Sequence, residues 1–536
     1  MRLRYLLGGI AGAATLIAAL TVVSRVLGFG RWLVQSATVQ ASATGTAYGA
    51  ANLVPNVLYE VVAGGALAGA VIPVLAGPIA RRLRGEVNQI ASALLTWAVM
   101  VLTPVALLLG LFARRIATLL PTPQGADGAA QVELVTYFLI VFSPQVVLYG
   151  IGVVLTGVLQ AHKRFLAPAL APILSTLMVI ATYVAFGYLA NGLQDEPGRL
   201  SETALAVLAW GTTAGVAVMA LPLLIPVWRC GVRLRPRLRF PPGVAARARA
   251  LALAGVGALL AQQVSVVVVM LLALNGGVDG TINLFQWSQA VYWLPYAVLA
   301  VPLATAVYPR LAELASHSDL APFARVAETS TRAVVAVSFA GVAGLIAVAP
   351  AIAQVFATWN DTTGMSQALT WMAPGVVGLS LTFHVTRVLY AMDRSRAALA
   401  ATSLGWAVVS VACLVGVFAW APEGGDGPGT LAALGLGHSV GMTVAAVALL
   451  GAFANVVHRR VLGAIGRSVA VAGAGTLVGA MVGRFATAAV LDLAGHSLIS
   501  AIMAGLLGAV VSMGLVGLAV AAGDRGTVNV FRRVRG

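Results

Sequence analysis

The sequence predicts an all-α polytopic membrane protein, with about fourteen transmembrane helices arranged as two six-helix lobes plus two C-terminal helices. Three observations carry that prediction. Hydrophobic residues make up 60% of the chain and charged residues only 9%, with a mean hydropathy of +0.94, whereas a soluble domain carries roughly 25% charged residues. Apolar runs of the ~20 residues that a bilayer demands recur from one end of the chain to the other. The charges that remain alternate between successive loops.

In order, the apolar runs and their breakers put spans at 7–36, 44–80, 87–113, 132–160, 166–191, 203–228, 246–275, 281–309, 326–356, 366–391, 397–421, 429–456, 466–490 and 495–522. The first run follows Arg2 and Arg4, as a signal peptide would. Arg25 and Arg31 come next with no small-residue cleavage site, so it reads as a first span. Some runs exceed a bilayer thickness and predict tilt or breaks. Pro55, Pro73, Pro144, Pro295 and Pro302 fall inside spans, where neighbouring helices or a hydrated cavity satisfy the freed backbone groups.

Loop charge tests the count. With the N-terminus in the cytoplasm, the inside loops hold Arg81, Arg82 and Arg84, then Lys163 and Arg164, then Arg229 to Arg249, then Arg310, Arg325 and Arg332. Arg394, Arg396, Arg459, Arg460 and Arg467 continue the series, and the tails add Arg2, Arg4, Arg525, Arg532, Arg533 and Arg535. The outside loops hold only Arg114, Arg115, Arg199 and Arg484, against Asp127, Asp195, Glu196, Asp279, Asp361, Glu423, Asp426 and Asp492. This is the positive-inside pattern, and one missed span would invert everything after it. Both termini are therefore expected inside a bacterial plasma membrane.

An internal repeat resolves the spans. Gly65-Ala-Leu-Ala-Gly-Ala-Val-Ile-Pro73 closes the second span and Val301-Pro-Leu-Ala-Thr-Ala-Val-Tyr-Pro309 the eighth. Leu159-Gln-Ala-His-Lys-Arg164 ends the fourth and Leu389-Tyr-Ala-Met-Asp-Arg394 the tenth. Offsets of 236 and 230 residues predict an N-terminal lobe at 1–228 and a C-terminal lobe at 250–421 with 429–456. Two extra helices follow at 466–522, then a basic tail at 523–536. Paired lobes around a midplane cavity are a transporter architecture. The basic stretch 229–249 is expected to be the cytoplasmic connection between lobes, and its alternation of Arg with Leu, Pro and Ala also suits an interfacial helix on anionic lipid.

The net charge of +16 would suggest nucleic acid on a soluble protein. Here it reads as a topological signal, and no nucleic-acid partner is expected. The only lysine is Lys163, so no Gly-Lys phosphate loop exists. His-Glu-x-x-His and Asp-x-Asp patterns are absent, and Cys230 and Cys413 have neither disulfide nor metal-ligand spacing. No cofactor, metal or catalytic residue is expected, and the chain reads as a transporter rather than an enzyme.

Charges inside spans are costly and normally face a cavity or a partner. Arg25 and Arg31 lie in the first span, Glu60 in the second, and His384 with Arg387 in the tenth. Arg25 and Arg31 sit about 120° apart around their helix, so both can border one wide cavity. A permanently charged planar fork suits phosphate. Three readings stay open: attraction of a diphosphate headgroup, a buried pair of either arginine with Glu60, or snorkelling to an interface. Arg387 faces the same choice between a cavity and the inner face. Asn52, Asn56, Gln145, Gln262, Gln263, Gln286 and Gln289 enter spans, where interhelical hydrogen bonding is the plain reading; Asn56 is also a substrate-binding candidate, and Gln262, Gln263, Gln286 and Gln289 could line a cavity's far wall and hydrogen-bond sugar or peptide groups. Trp287 and Trp293 are candidates to stack on a sugar or to anchor at an interface.

The segments Ser24-Arg-Val-Leu-Gly28-Phe-Gly-Arg31, Ala47 to Leu58 with Pro55-Asn56, Val71-Ile-Pro73-Val-Leu and Leu159 to Pro172 resemble the MurJ/MviN family, as does Pro295 to Pro309. The match is specific over roughly residues 20–85 and 145–175. The resemblance implies a flippase of the multidrug/oligosaccharidyl-lipid/polysaccharide exporter group. It would carry a polyprenyl-diphosphate-linked cell-wall precursor, lipid II first, to the outer leaflet by alternating access. It implies partners among membrane lipids and cell-wall synthesis proteins, a polyprenyl groove on the last two spans, and Arg25 and Arg31 as the two family arginines of the first span. Coupling to membrane potential or an ion gradient is expected. The chain departs from the family pattern at Trp32, Thr46, Tyr59, Glu60, Gly64 and Ala290. A flippase for another polyprenyl-linked glycan and a non-transporting scaffold of a wall-synthesis complex are the alternative functions.

Overall fold

The computed structural model describes residues 10–61, 68–122, 127–317, 319–457, 460–524 and 526–527. Arg2, Arg4, Gly64, the opening Gly65-Ala-Leu of the first repeat segment, Arg459, Arg525 and the tail with Arg532, Arg533 and Arg535 lie outside the described residues. The described chain is almost wholly helical and forms two compact units, one up to Gln263 and one from Val264 onward.

The first unit contains α1 (Ile10–Thr38), α2 (Ala43–Tyr59), α3 (Ala68–Ala80), α4 (Arg84–Leu111), α5 (Ala113–Leu119), α6 (Gly128–Ala161), α7 (Leu166–Ala190), α8 (Glu202–Ala220) and α9 (Leu224–Arg229). The helix α10 (Val244–Gly276) carries the chain from the first unit to the second. The second unit continues with α11 (Thr281–Pro295), α12 (Val301–Ser316), α13 (Leu320–Ala357), α14 (Met365–Met372), α15 (Gly375–Ala391), α16 (Ser395–Trp420), α17 (Gly427–Val456), α18 (Arg460–Ala494) and α19 (Leu498–Gly523).

Among the described residues, each of the fourteen expected spans falls mainly on helix. Among the described residues, eleven helices are long and apolar enough to cross a bilayer. The pair α14 and α15, bent by 42° around Pro374, makes a twelfth when counted as one broken span. The first expected span corresponds to α1, and the second to α2 and α3. Helix starts follow from local chemistry. Ser42, Asp127, Ser201, Asp426 and Ser497 precede α2, α6, α8, α17 and α19, and their side chains accept backbone N–H groups of the first turn. Such caps satisfy donors that the helix itself leaves open.

In the first unit α6 packs against α2 and α4, α7 packs against α8, and α1 lies on α7. One core gathers Tyr48, Phe138, Phe142, Tyr183 and Phe186, and another gathers Val71, Leu75, Ile90, Leu155, Leu159 and Val227. In the second unit α17 packs on α15 and α16, while α18 and α19 pack on each other and on α13. The last two spans are tied down by a polar cluster. Arg332 of α13 pairs with Asp524 just beyond α19, and Asp524 also accepts from Ser468 of α18 and from Thr527.

The repeat is visible in the backbone. Lys163 and Asp393 both take left-handed conformations, with φ of 58° and 56°. The turns around them share two bonds: Lys163 N–H donates to Gln160 and Arg164 N–H to Leu159, as Asp393 does to Tyr390 and Arg394 to Leu389. A π-turn at Glu60–Val61 recurs at Tyr296–Ala300, at the 236-residue offset.

The basic connection differs from the interfacial-helix expectation. Residues 232–240 are not helical, and helix resumes only at Val244. Val232-Arg-Leu-Arg-Pro-Arg-Leu-Arg-Phe240 alternates with period two, which suits extended chain rather than helix, and Pro236 removes a helical donor. The apolar members Val232, Leu234 and Phe240 pack on the first unit's core.

Candidate functional site

The first-span arginines lie on the flank of α1 that also carries Gly28, because steps of three residues drift by about 60° around a helix. Arg25 is exposed and Arg31 half-buried. A Cβ added at Gly28 would meet nothing within 4 Å, so this flank faces open space there. The Arg31 guanidinium stands 4.7 Å from the centroid of the Trp32 ring, a cation–π arrangement. Its charge is within electrostatic reach of the Tyr48, Tyr149 and Tyr183 hydroxyls. Among the described residues no ion pair joins Arg25 or Arg31 to Glu60. The buried-pair reading is therefore not realised.

Glu60 ends α2 at the π-turn, where its backbone N–H reaches both Asn56 and Val57 carbonyls. Its exposed side chain lines a cavity of about 400 Å³ within the first unit. Tyr59 shares that wall, with Ile72 of α3, Tyr149, Thr156 and Gln160 of α6, Pro168 and Pro172 of α7, and Met219 and Leu223 beyond. Tyr59 and Tyr149 pack ring on ring at 4.4 Å between centroids. Tyr149 donates its hydroxyl to Asn56 Oδ1 at 3.0 Å, so Asn56 positions a cavity wall. The volume falls in the range of about 300–1,000 Å³ typical of small-ligand pockets. A carboxylate, two phenol rings and two uncharged polar side chains on mostly apolar walls can orient the polar part of an amphiphile.

The other expected residues are placed separately. Gln262 is half-buried and Gln263 buried on α10. Gln286 and Gln289 are half-buried on α11 of the second unit. Trp287, one of the two sugar-stacking candidates, is fully buried and stacks on Phe356 at 5.3 Å, so it is a packing residue. Trp293 remains exposed. Arg387 lies 3.4 Å over the Phe383 ring and donates to the Phe383 carbonyl. His384 is buried against Ser330, with Nε2 and Oγ 3.1 Å apart. Gln145 is likewise internal, donating to Thr213. Sequence reasoning missed Tyr149 and Thr156 as cavity residues. The available signal was a stripe: Gln145, Tyr149, Thr156 and Gln160 recur on one face of α6 at helical spacing.

Comparison with known proteins agrees with this architecture. The family model described as lipid II flippase MurJ matches residues 36–490. A Rhizobium tropici protein described as a probable lipid II flippase MurJ is 25% identical over 405 residues, which cover 73% of this chain and 72% of that protein. A Burkholderia cenocepacia lipid II flippase MurJ is 26% identical over 311 residues, covering 56% and 57% of the two. Among solved structures, a lipid II flippase MurJ in an inward closed conformation superposes with a TM-score of 0.70 at 16% identity, over 95% of this chain and 99% of that one. An inward-facing MATE-family multidrug transporter gives 0.64 at 14% identity over 81% and 95%. At these identities the superpositions establish the fold, and the family match over residues 36–490 establishes kinship: this chain is a multi-pass bacterial membrane protein of the MurJ family.

Proposed function

We propose that this protein is a flippase that moves a polyprenyl-diphosphate-linked cell-wall precursor, lipid II, from the inner to the outer leaflet by alternating access. The observation that carries the reading is the open flank of α1, with Arg25 exposed, Arg31 half-buried and no carboxylate paired to either among the described residues. Two guanidinium forks on one open flank suit a diphosphate. In this reading Arg25 and Arg31 hold the diphosphate. Asn56, Glu60, Gln262, Gln263, Gln286 and Gln289 hydrogen-bond the glycan and peptide, and Arg387 adds a further cation. Both termini lie in the cytoplasm, and membrane potential or an ion gradient drives the cycle. The organisation is six spans, six spans and two, with other cell-wall synthesis proteins as neighbours.

Replacing Arg25 by Ala removes charge-assisted hydrogen bonds worth about 1.5–3 kcal/mol, so labelled lipid II externalisation is expected to fall at least about tenfold. Thermal unfolding of Arg25→Ala should match wild type, because the side chain is exposed. Wild-type externalisation by this variant would sink the reading. Depletion followed by mass spectrometry identifies the cargo. Accumulated lipid II supports the assignment, and accumulation of a different polyprenyl-linked glycan replaces it.

A further inference from the structure

The basic segment between α9 and α10 is laced to the side of α4. Arg233 N–H donates to Asn88 Oδ1 at 3.1 Å, Arg235 N–H to Ser92 Oγ at 3.0 Å and Arg237 N–H to Thr96 Oγ1 at 2.9 Å. Trp97 Nε1 closes the row on the Leu238 carbonyl at 2.9 Å. Asn88, Ser92 and Thr96 are four residues apart, so they rise about 6.0 Å per step along one helix face. Alternate residues of extended chain advance about 6.6 Å. The two rulers match, which is why every second backbone N–H finds a partner.

That lacing fixes where the side chains go. In extended chain, residues two apart share a face. Val232, Leu234 and Phe240 take the inner face, and Arg233, Arg235, Arg237 and Arg239 stand together, all exposed. Among the described residues none of the four forms an ion pair. Loop charges placed only as topological signals need no fixed geometry, whereas these are held in a row roughly 20 Å long by hydrogen bonds from a neighbouring helix. The row follows the candidate span that ends at Arg229 and runs beside the opening turns of the one that begins at Arg84, so it lies at one end of two spans, on the side where headgroups meet the protein.

We propose that Arg233, Arg235, Arg237 and Arg239 form a built site for the phosphates of anionic phospholipid headgroups, preorganised by Asn88, Ser92 and Thr96. A guanidinium fork takes a phosphate through two parallel hydrogen bonds, and a preformed row avoids the ordering cost that a flexible loop would meet on binding.

The test is native mass spectrometry of the purified full chain titrated with phosphatidylglycerol or, for comparison, phosphatidylcholine. The wild-type chain is expected to prefer phosphatidylglycerol, with a preference that weakens as salt rises. Substituting all four arginines by Gln should remove the preference. Each single Arg→Gln should lower phosphatidylglycerol affinity about fivefold. The decisive variant is Ser92→Ala with Thr96→Ala, which keeps every charge and removes two laces. It should lose several-fold in phosphatidylglycerol affinity while its Tm shows that it folds. The proposal is overturned if the unlaced chain binds as wild type. It is equally overturned if Gln at Arg81, Arg82, Arg394 and Arg396 costs as much as Gln in the row, or if inorganic pyrophosphate competes as well as the lipid does. None of these readouts depends on transport, so they stand apart from the flippase assignment.

Discussion

The Asp524 carboxylate shows how much one side chain can hold. It is almost fully enclosed and accepts from Arg332, Ser468 and Thr527. Burial pushes its acid group up, but the Ser468 and Thr527 hydrogen bonds and the Arg332 charge outweigh that and leave it below the usual carboxylate range. A group whose pKa is depressed by folding stabilises the fold above its unfolded value, about 3.9, and loses that contribution as pH falls through the lower folded value. Asp524→Asn leaves Arg332 without its most buried counter-charge, and breaking such a pair costs about 3–5 kcal/mol. Thermal unfolding of the variant should therefore fall below wild type by a constant margin above about pH 5, and the margin should close below about pH 4. A margin that is unchanged in acid would refute the role of the charge. Nothing in the sequence announces this pair, because Arg332 and Asp524 are 192 residues apart and Arg332 reads there as one more inside charge. Trp287 is similar: its aromatic ring is legible as a candidate, but its stacking on Phe356 is a tertiary fact. Arg25, Arg31 and Glu60 stand out in the sequence because an ionised group inside a span is conspicuous by its cost.

Among the elements, α15 and α17 approach closely through small residues. A Cβ at Gly378 would overlap the Met442 carbonyl and the Thr443 amide, backbone atoms that cannot rotate away. Membrane helices gain from such close approach by packing and not by the hydrophobic effect. Gly378→Ala should destabilise the protein by about 1–3 kcal/mol and lower Tm in detergent. Gly451→Ala on α17, where a Cβ meets nothing within 4 Å, should leave Tm unchanged. Equal behaviour of the two variants would show that the close approach contributes nothing to stability. Spans were legible as elements because a bilayer imposes one length on all of them. Their breaks were only partly so: Pro144 lies inside the continuous α6, whereas the bend between α14 and α15 falls at Pro374. A proline marks where a helix can bend, and packing decides which of them does.

The whole molecule exposes apolar surface that water would not tolerate. Leu493 is 89% exposed, Tyr188 84% and Leu111 77%. Patches of this kind mark contact with another apolar phase, here the lipid. The alternation of loop charges then predicts sidedness. In a Cys230→Ser background, Asp195→Cys should react with an impermeant maleimide in intact spheroplasts, and Arg394→Cys only after permeabilisation. Cys413 is fully buried and should stay silent in both. Labelling with the opposite sidedness would invert the proposed topology.

The paired π-turns make span length a matter of phase. Such a turn holds one residue more than the α-helix it interrupts, and removing that residue rotates everything downstream by about 100° and draws it in by about 1.5 Å. Deleting Ala297 from the Tyr296–Ala300 turn would keep the span's composition and hydropathy nearly intact. It would nevertheless rotate Tyr308 and Arg310, on the helix after the turn, by that angle relative to Gln286 and Gln289 on the helix before it. Single-residue deletions at Glu60–Val61 and at 296–300 should accordingly be far less tolerated than most point substitutions there, an intolerance to changes of length that no hydropathy profile would register.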